Sequence, residues 1–248
     1  MKHKINPQID CVFKRLLGST EGIERLMNFL NSVLLPKSPI VGVDIINPYN
    51  PQEFIGDKQS IVDIKAKDSN GVIYQIELQL CNHAYLARRM LYNWSAIYKA
   101  QLTEGMVYEK LNPVISIWLV VDRLFKDSPD HHHCFELYDK KNQYVLTDHC
   151  VIHILELAKW HKHSALSQAD SWLYFFKEAK GWNALPNELN TPIMRSAMDT
   201  LKQFSEKELE YHKYQARQNF IREQMSFQHD FDKAQQAFEE TKQKLEQA

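Results

Sequence analysis

Two stretches of alternating polar and apolar residues, Ser60 to Lys67 and Val72 to Leu80, flank Asp68-Ser69-Asn70-Gly71, and this hairpin pattern restricts the fold of the 248-residue chain more tightly than any other feature. Alternation at period two marks a strand with one face on a core, and a short Asn-Gly joint between two such strands marks a tight reversal. On the first strand Asp63 and Lys65 share a face while Val62, Ile64 and Ala66 take the other; on the second, Gln75, Glu77 and Gln79 oppose Ile76, Leu78 and Leu80. A three-residue loop, Ser69-Asn70-Gly71, with Gly71 left-handed, sets Asp63 directly across from Glu77. Facing carboxylates destabilise a sheet unless something compensates, and a hard divalent cation does so directly. Spacing alone leaves a second outcome open, the default for a one-sided sheet: a solvated polar face on which Asp63 finds Lys65 or another cation.

The surrounding pattern predicts helices on both sides of a sheet. Asn6-Pro7 reads as an N-cap with proline at the first helical position, opening a helix whose apolar face is Ile9, Phe13, Leu16 and Leu17. A second helix is expected from Glu21 to Leu34, ended by Pro36. Further strands are expected at Ile40 to Ile46, Val114 to Asp122, Cys134 to Tyr138 and Val151 to Leu157, with a long amphipathic helix from Ala84 to Thr103 between the hairpin and the strand that starts at Val114. The run Val114 to Val121 reads as a strand buried on both faces. After Ala165 only helices are expected, at Trp172 to Ala179, Pro192 to Ser205 and along the polar tail. There Phe220, Phe227, Phe231, Ala234, Phe238 and Leu245 form an interrupted stripe at three-and-four spacing. The stripe fits a helix folded back on its own domain or, less commonly, a dimerising pair.

Composition removes several classes. Seven glycines form neither a dinucleotide-binding nor a P-loop pattern. Thirty Lys and Arg against 31 Asp and Glu give a net charge of −1, so any nucleic-acid contact has to come from a local basic surface. Four irregularly spaced cysteines and no signal-peptide pattern suggest a reducing, cytoplasmic setting, and no apolar run approaches the roughly 20 residues of a membrane span. His131-His132-His133 beside Cys134, and His149 with His153 on alternate strand positions, lack zinc-site spacing and are expected to be loop and surface residues.

Several ordered blocks then match a known family: Asn6-Pro7-x-Ile9-Asp10-x-Val12-Phe13-Lys14-x-Leu16, Ser60 to Asp68, Ile76-Glu77-Leu78-Gln79, and Arg89-Met90-Leu91-Tyr92-Asn93-Trp94-Ser95-x-x-Tyr98 with Gln101-Leu102. From Asn6 to about Trp172 the chain resembles the recombination-promoting nuclease (Rpn) family, also described as PD-(D/E)XK nuclease family transposases. The resemblance implies an α/β, restriction-endonuclease-like core with a mixed sheet flanked by helices over residues 1–180, and a helical C-terminal extension over 181–248. It implies Asp63 and Glu77 as ligands of Mg2+ or Mn2+, with Gln79 where the wider superfamily usually carries lysine. Asp10 matches an early acidic position that completes the metal site or supports it.

The expected activity is metal-dependent hydrolysis of DNA phosphodiester bonds by an endonuclease serving recombination, mobile elements or defence, with Gln79 and Lys65 orienting the nucleophile or stabilising charge. Lys14 and Arg89 are the expected DNA-binding cations. Strand joining is not expected, since no separate DNA-binding domain is evident. The competing expectation is a non-catalytic DNA-binding or assembly module on the same fold. A homodimer through the C-terminal helices is the alternative left open beside the commoner helix folded back on its own domain.

Overall fold

A computed structural model describes residues 1–46, 63–80 and 85–246, with the end of the last helix given by its backbone alone. The start of the first hairpin strand, Ser60 to Val62, and the expected helix start at Ala84 lie outside the described residues. A six-stranded mixed sheet, in the order β1-β2-β3-β4-β6-β5, organises the molecule. Its strands are β1 (Val43–Ile45), β2 (Ile64–Asp68), β3 (Ile73–Gln79), β4 (Val114–Val120), β5 (His132–Asp139) and β6 (Tyr144–Glu156). The three central strands β3, β4 and β6 run parallel, while β1-β2, β2-β3 and β5-β6 pair antiparallel. Helices α1 (Asp10–Leu17), α2 (Ile23–Leu34), α3 (Leu86–Lys99), α4 (Gln168–Glu178), α5 (Pro192–Glu206) and α6 (Glu208–Glu246) complete the described chain. The α/β architecture matches the expected fold class.

The apolar face of the hairpin meets the main core. Ile64, Ala66 and Ile76 join Ile117, Leu119 and Leu155 beneath Val12, Phe13, Leu16 and Leu17 of α1, Leu26, Phe29 and Leu30 of α2, and residues of α4 and α5. Each such side chain taken out of water contributes about 1.5–3 kcal/mol. The same cluster takes in Trp172, Phe175 and Phe176 of α4, Met194, Ala197, Met198, Leu201 and Phe204 of α5, and Tyr214 of α6, so packing runs across the division expected at residue 180. Helix α3 supplies the crossover between parallel β3 and β4 and lies on the opposite face of the sheet, where Leu86 and Met90 pack with Trp118, Val120, Ile152 and Ile154.

The hairpin register is the expected one: Ile64 pairs with Ile76, Lys65 with Gln75 and Ala66 with Tyr74. Gly71 has φ +89°, and a Cβ there would also meet the Asn112 side chain at 2.5 Å, so the turn needs glycine for both conformation and space. Asp68 closes the loop by accepting from the Asn70 and Val72 amides and from the Tyr74 hydroxyl.

Two local readings need correction. Asn6 opens a turn, not α1: its side chain accepts from the Gln8 amide and its carbonyl from the Ile9 amide, and the helix begins at Asp10 after an extended Ile9. Burial of Ile5 and Ile9 in the core sets this path against the local cap signal. His132, His133, His149 and His153 lie on strands β5 and β6 and not in loops, His153 is buried, and His149 and His153 do not share a setting, because the β5-β6 pairing shifts register next to Glu136 and Leu137. His149 Nδ1 meets the Tyr98 hydroxyl of α3 at 2.9 Å, whereas His153 Nδ1 meets His132 Nε2 at 2.9 Å.

Candidate active site

The hairpin register places Asp63, the residue before β2, across from Glu77 at the end of the sheet where β3 stops. Asp63 Oδ2 accepts the Leu78 amide at 2.9 Å, which ties its carboxylate to the strand bearing Glu77. Its other oxygen lies 3.4 Å from Lys14 Nζ, supplied by α1.

The polar face carrying Glu77 is not solvated, contrary to the default expectation. Gln75 is fully buried, Glu77 is 2% exposed and Gln79 and Lys65 are nearly as covered. A buried carboxylate has to find partners. Gln75 Nε2 donates to Glu77 Oε1 at 3.1 Å, and Arg89 of α3 brings Nη2 to 3.8 Å from Oε2. Burial and, next, the Asp63 charge push the Glu77 pKa up to about 8, opposed by the Gln75 hydrogen bond, the Arg89 charge and a hydrogen bond from the Asp63 backbone. Lys65, on the same face and opposite Gln75, has its pKa lowered by burial.

Arg89 links the remaining pieces. Its Nη1 donates to Gln79 Oε1 at 3.0 Å, and its guanidinium lies 5.5 Å from the Trp118 ring centre. Because arginine only donates, this contact fixes the Gln79 amide with oxygen toward Arg89 and leaves Nε2 as the donating end. Arg89 and Lys14, expected at a DNA surface, therefore each touch a candidate site residue.

Asp10 is placed differently. Arg217 of α6 donates from Nε to both Asp10 oxygens, at 2.8 and 2.9 Å. Asp10 nonetheless sits one helical turn before Lys14 on α1, the helix that reaches Asp63. Among the described residues no group of three or more His, Cys, Asp or Glu side chains forms a metal cluster. The donor set offered by Asp63 and Glu77 is two carboxylates, hard oxygen ligands that fit Mg2+ or Mn2+ and not a thiolate- or imidazole-preferring metal.

Sequence reading missed Gln75 as a partner of Glu77, Ser116 and Trp118 beneath it, and Arg217 at Asp10. The available signal was Ser116, a small polar residue inside an otherwise apolar strand. Nothing local to Arg217 announces a contact 207 residues away.

No helix among the described residues is long and apolar enough to cross a membrane. No characterised protein and no solved structure matches the chain significantly. A family model does match, over residues 7–230, covering the hairpin carboxylates, the cationic helices and the core down to the first half of α6. The chain belongs to the PD-(D/E)XK nuclease family transposases.

Proposed function

We propose that this protein is a cytoplasmic DNA endonuclease that uses Mg2+ or Mn2+ to hydrolyse phosphodiester bonds, in recombination, mobile-element transfer or defence. The observation that carries this reading is Glu77: a carboxylate buried on a sheet, facing Asp63 in register, in a chain of a nuclease family. Asp63 and Glu77 are the residues that would hold the cation, with Asp10 behind them on α1. When bound, such a cation neutralises phosphate charge and makes water a better acid.

The chain's own residues do the rest. Gln79, with its oxygen held by Arg89, would orient the attacking water through its amide, but it has no titratable proton of its own. Lys65, buried on the same face, stabilises negative charge as it grows on the phosphate. Lys14 and Arg89, at 3.4 and 3.8 Å from their carboxylates, are spaced to engage DNA phosphates when a cation replaces them as counter-charges. Self-association through α6 belongs to the same reading, since Phe227, Phe231 and Phe238 stay exposed. Molar mass in solution tests it.

One observation favours the second reading, a non-catalytic DNA-binding or assembly module: Asp10, Asp63 and Glu77 each already face a cation of the chain, Arg217, Lys14 and Arg89. Plasmid nicking separates the two. The nuclease reading expects cleavage with Mg2+ or Mn2+ that is lost in EDTA and in Asp63→Ala; cleavage unchanged in that variant, or none under any metal, overturns it.

A further inference from the structure

Beneath Glu77 a hydrogen-bond chain crosses from β4 to β3. Trp118 Nε1 donates to Ser116 Oγ at 2.8 Å, Ser116 Oγ donates to Gln75 Oε1 at 3.1 Å, and Gln75 Nε2 donates to Glu77 Oε1 at 3.1 Å. The strand pairing makes this path: Gln75 lies beside Ser116 and Glu77 beside Trp118. All four residues are buried.

We propose that Gln75, Ser116 and Trp118 are positioning residues that hold the Glu77 carboxylate in one orientation for cation ligation. This rests on Glu77 being a ligand, as argued above. The chain runs in only one direction. An indole N–H can donate but not accept, so Ser116 Oγ accepts from Trp118, and its own hydrogen goes to Gln75. The recipient at Gln75 is then its carbonyl oxygen, which turns the amide NH2 toward Glu77. A sequence of three contacts thus ends on a donor aimed at Glu77 Oε1, while Arg89 faces Oε2 from above the Trp118 ring. One tryptophan organises both sides of the carboxylate.

Mere satisfaction of buried polarity does not account for the arrangement. The apolar neighbours on this face are Leu86, Met90, Val120, Ile152 and Ile154, and apolar side chains in place of Ser116 and Gln75 would leave fewer polar groups to satisfy. Partners that orient a ligand from behind typically change metal affinity by about ten- to a hundredfold when removed.

Calorimetric titration of the full chain with MnCl2 tests the proposal, with far-UV circular dichroism and urea midpoints confirming folding. Ser116→Ala and Gln75→Leu should weaken Mn2+ binding by roughly ten- to a hundredfold, while Ser116→Thr, which keeps the hydroxyl, should bind near wild type. Where Gln75→Leu fails to fold, Trp118→Phe keeps an aromatic ring under Arg89 while removing the first donor, and it should weaken binding in the same direction. If Glu77→Ala loses Mn2+ but Ser116→Ala and Trp118→Phe bind as wild type, the chain is packing only and the proposal falls. It also falls if Ser116→Thr is as weak as Ser116→Ala. If Glu77→Ala binds Mn2+ unchanged, the ligand reading fails first and takes this one with it.

Discussion

Glu77 is an acid whose folded pKa, about 8, lies above its ordinary 4.5. Between those values the folded state holds more protons than the unfolded one, so this group removes stability as pH rises across the window and adds no further change above it. His153 acts oppositely over the lower part of that range: burial and then His132 lower its pKa from 6.5 to about 4, so its share of stability grows as pH climbs to 6.5 and is level thereafter. Between about pH 6.5 and 8 the Glu77 effect is therefore free of the His153 contribution. The melting temperature of metal-free protein should fall over that interval, and Glu77→Gln, which can still accept from Gln75, should flatten the slope and raise the melting temperature at pH 8. A wild-type profile as flat as the variant's would mean that Glu77 is ionised throughout. Gln79 gives a second expectation at this scale. Gln79→Ala should lower single-turnover cleavage by roughly ten- to a thousandfold, the span for one positioning or transition-state hydrogen bond, with Mn2+ affinity near wild type. Gln79→Glu should be slower still, because a third carboxylate would draw Arg89 from Glu77 and repel the scissile phosphate. Rates within twofold of wild type for both would move the chemistry to Lys65 or Asp10.

Among the elements, α6 carries two different stretches. Its first turns are fastened to the N-terminal segment: Tyr214 is buried and its hydroxyl accepts from the Asn6 amide, Arg217 grips Asp10, and His3 stacks on Tyr211 with ring centres 3.8 Å apart. Beyond Arg222 the described side chains are exposed. Removal of residues 223–248 should leave the melting temperature nearly unchanged, whereas removal of 207–248 should cost roughly 3 to 5 kcal/mol by exposing Tyr214 and breaking these contacts. Equal melting curves for the two truncations would show that the fastening contributes nothing. This division was not legible in the sequence, where the phenylalanine stripe drew the eye to the unfastened half and Arg217 looked like one more charge on a polar helix. The hairpin was legible because its information is local: the Asn-Gly turn and period-two alternation set register and faces together. Burial of its polar face was not, since it depends on where α3 lands, and the alternation that identified the strands also argued for solvent on that side. Asn6-Pro7 misled for the reverse reason, a sound local signal overruled by burial of Ile5 and Ile9.

For the whole molecule, a net charge of −1 means that any grip on DNA is a matter of placement. Lys14 and Arg89 approach the candidate site from opposite sides of the sheet, and both stand against carboxylates. DNA affinity should fall steeply with salt, and the slope of log affinity against log salt should lose about one for each phosphate contact removed in Lys14→Ala or Arg89→Ala. Mn2+ or Ca2+ should tighten binding in wild type, by releasing both cations, and not in Asp63→Ala. Unaltered slopes would send the DNA path elsewhere. The glycine at the turn reaches furthest across the molecule. A hairpin slipped by one residue exchanges its faces, so Glu77 would enter the space of Ile76 under α1, and Ile76 the space beneath α3. Gly71, with its left-handed φ and its fit against Asn112, admits one count of residues in the loop. The hairpin thus behaves as a parity check: a chain that has built its oily layer correctly has, by the same act, delivered its acids to the other side, and no folded form holds one without the other.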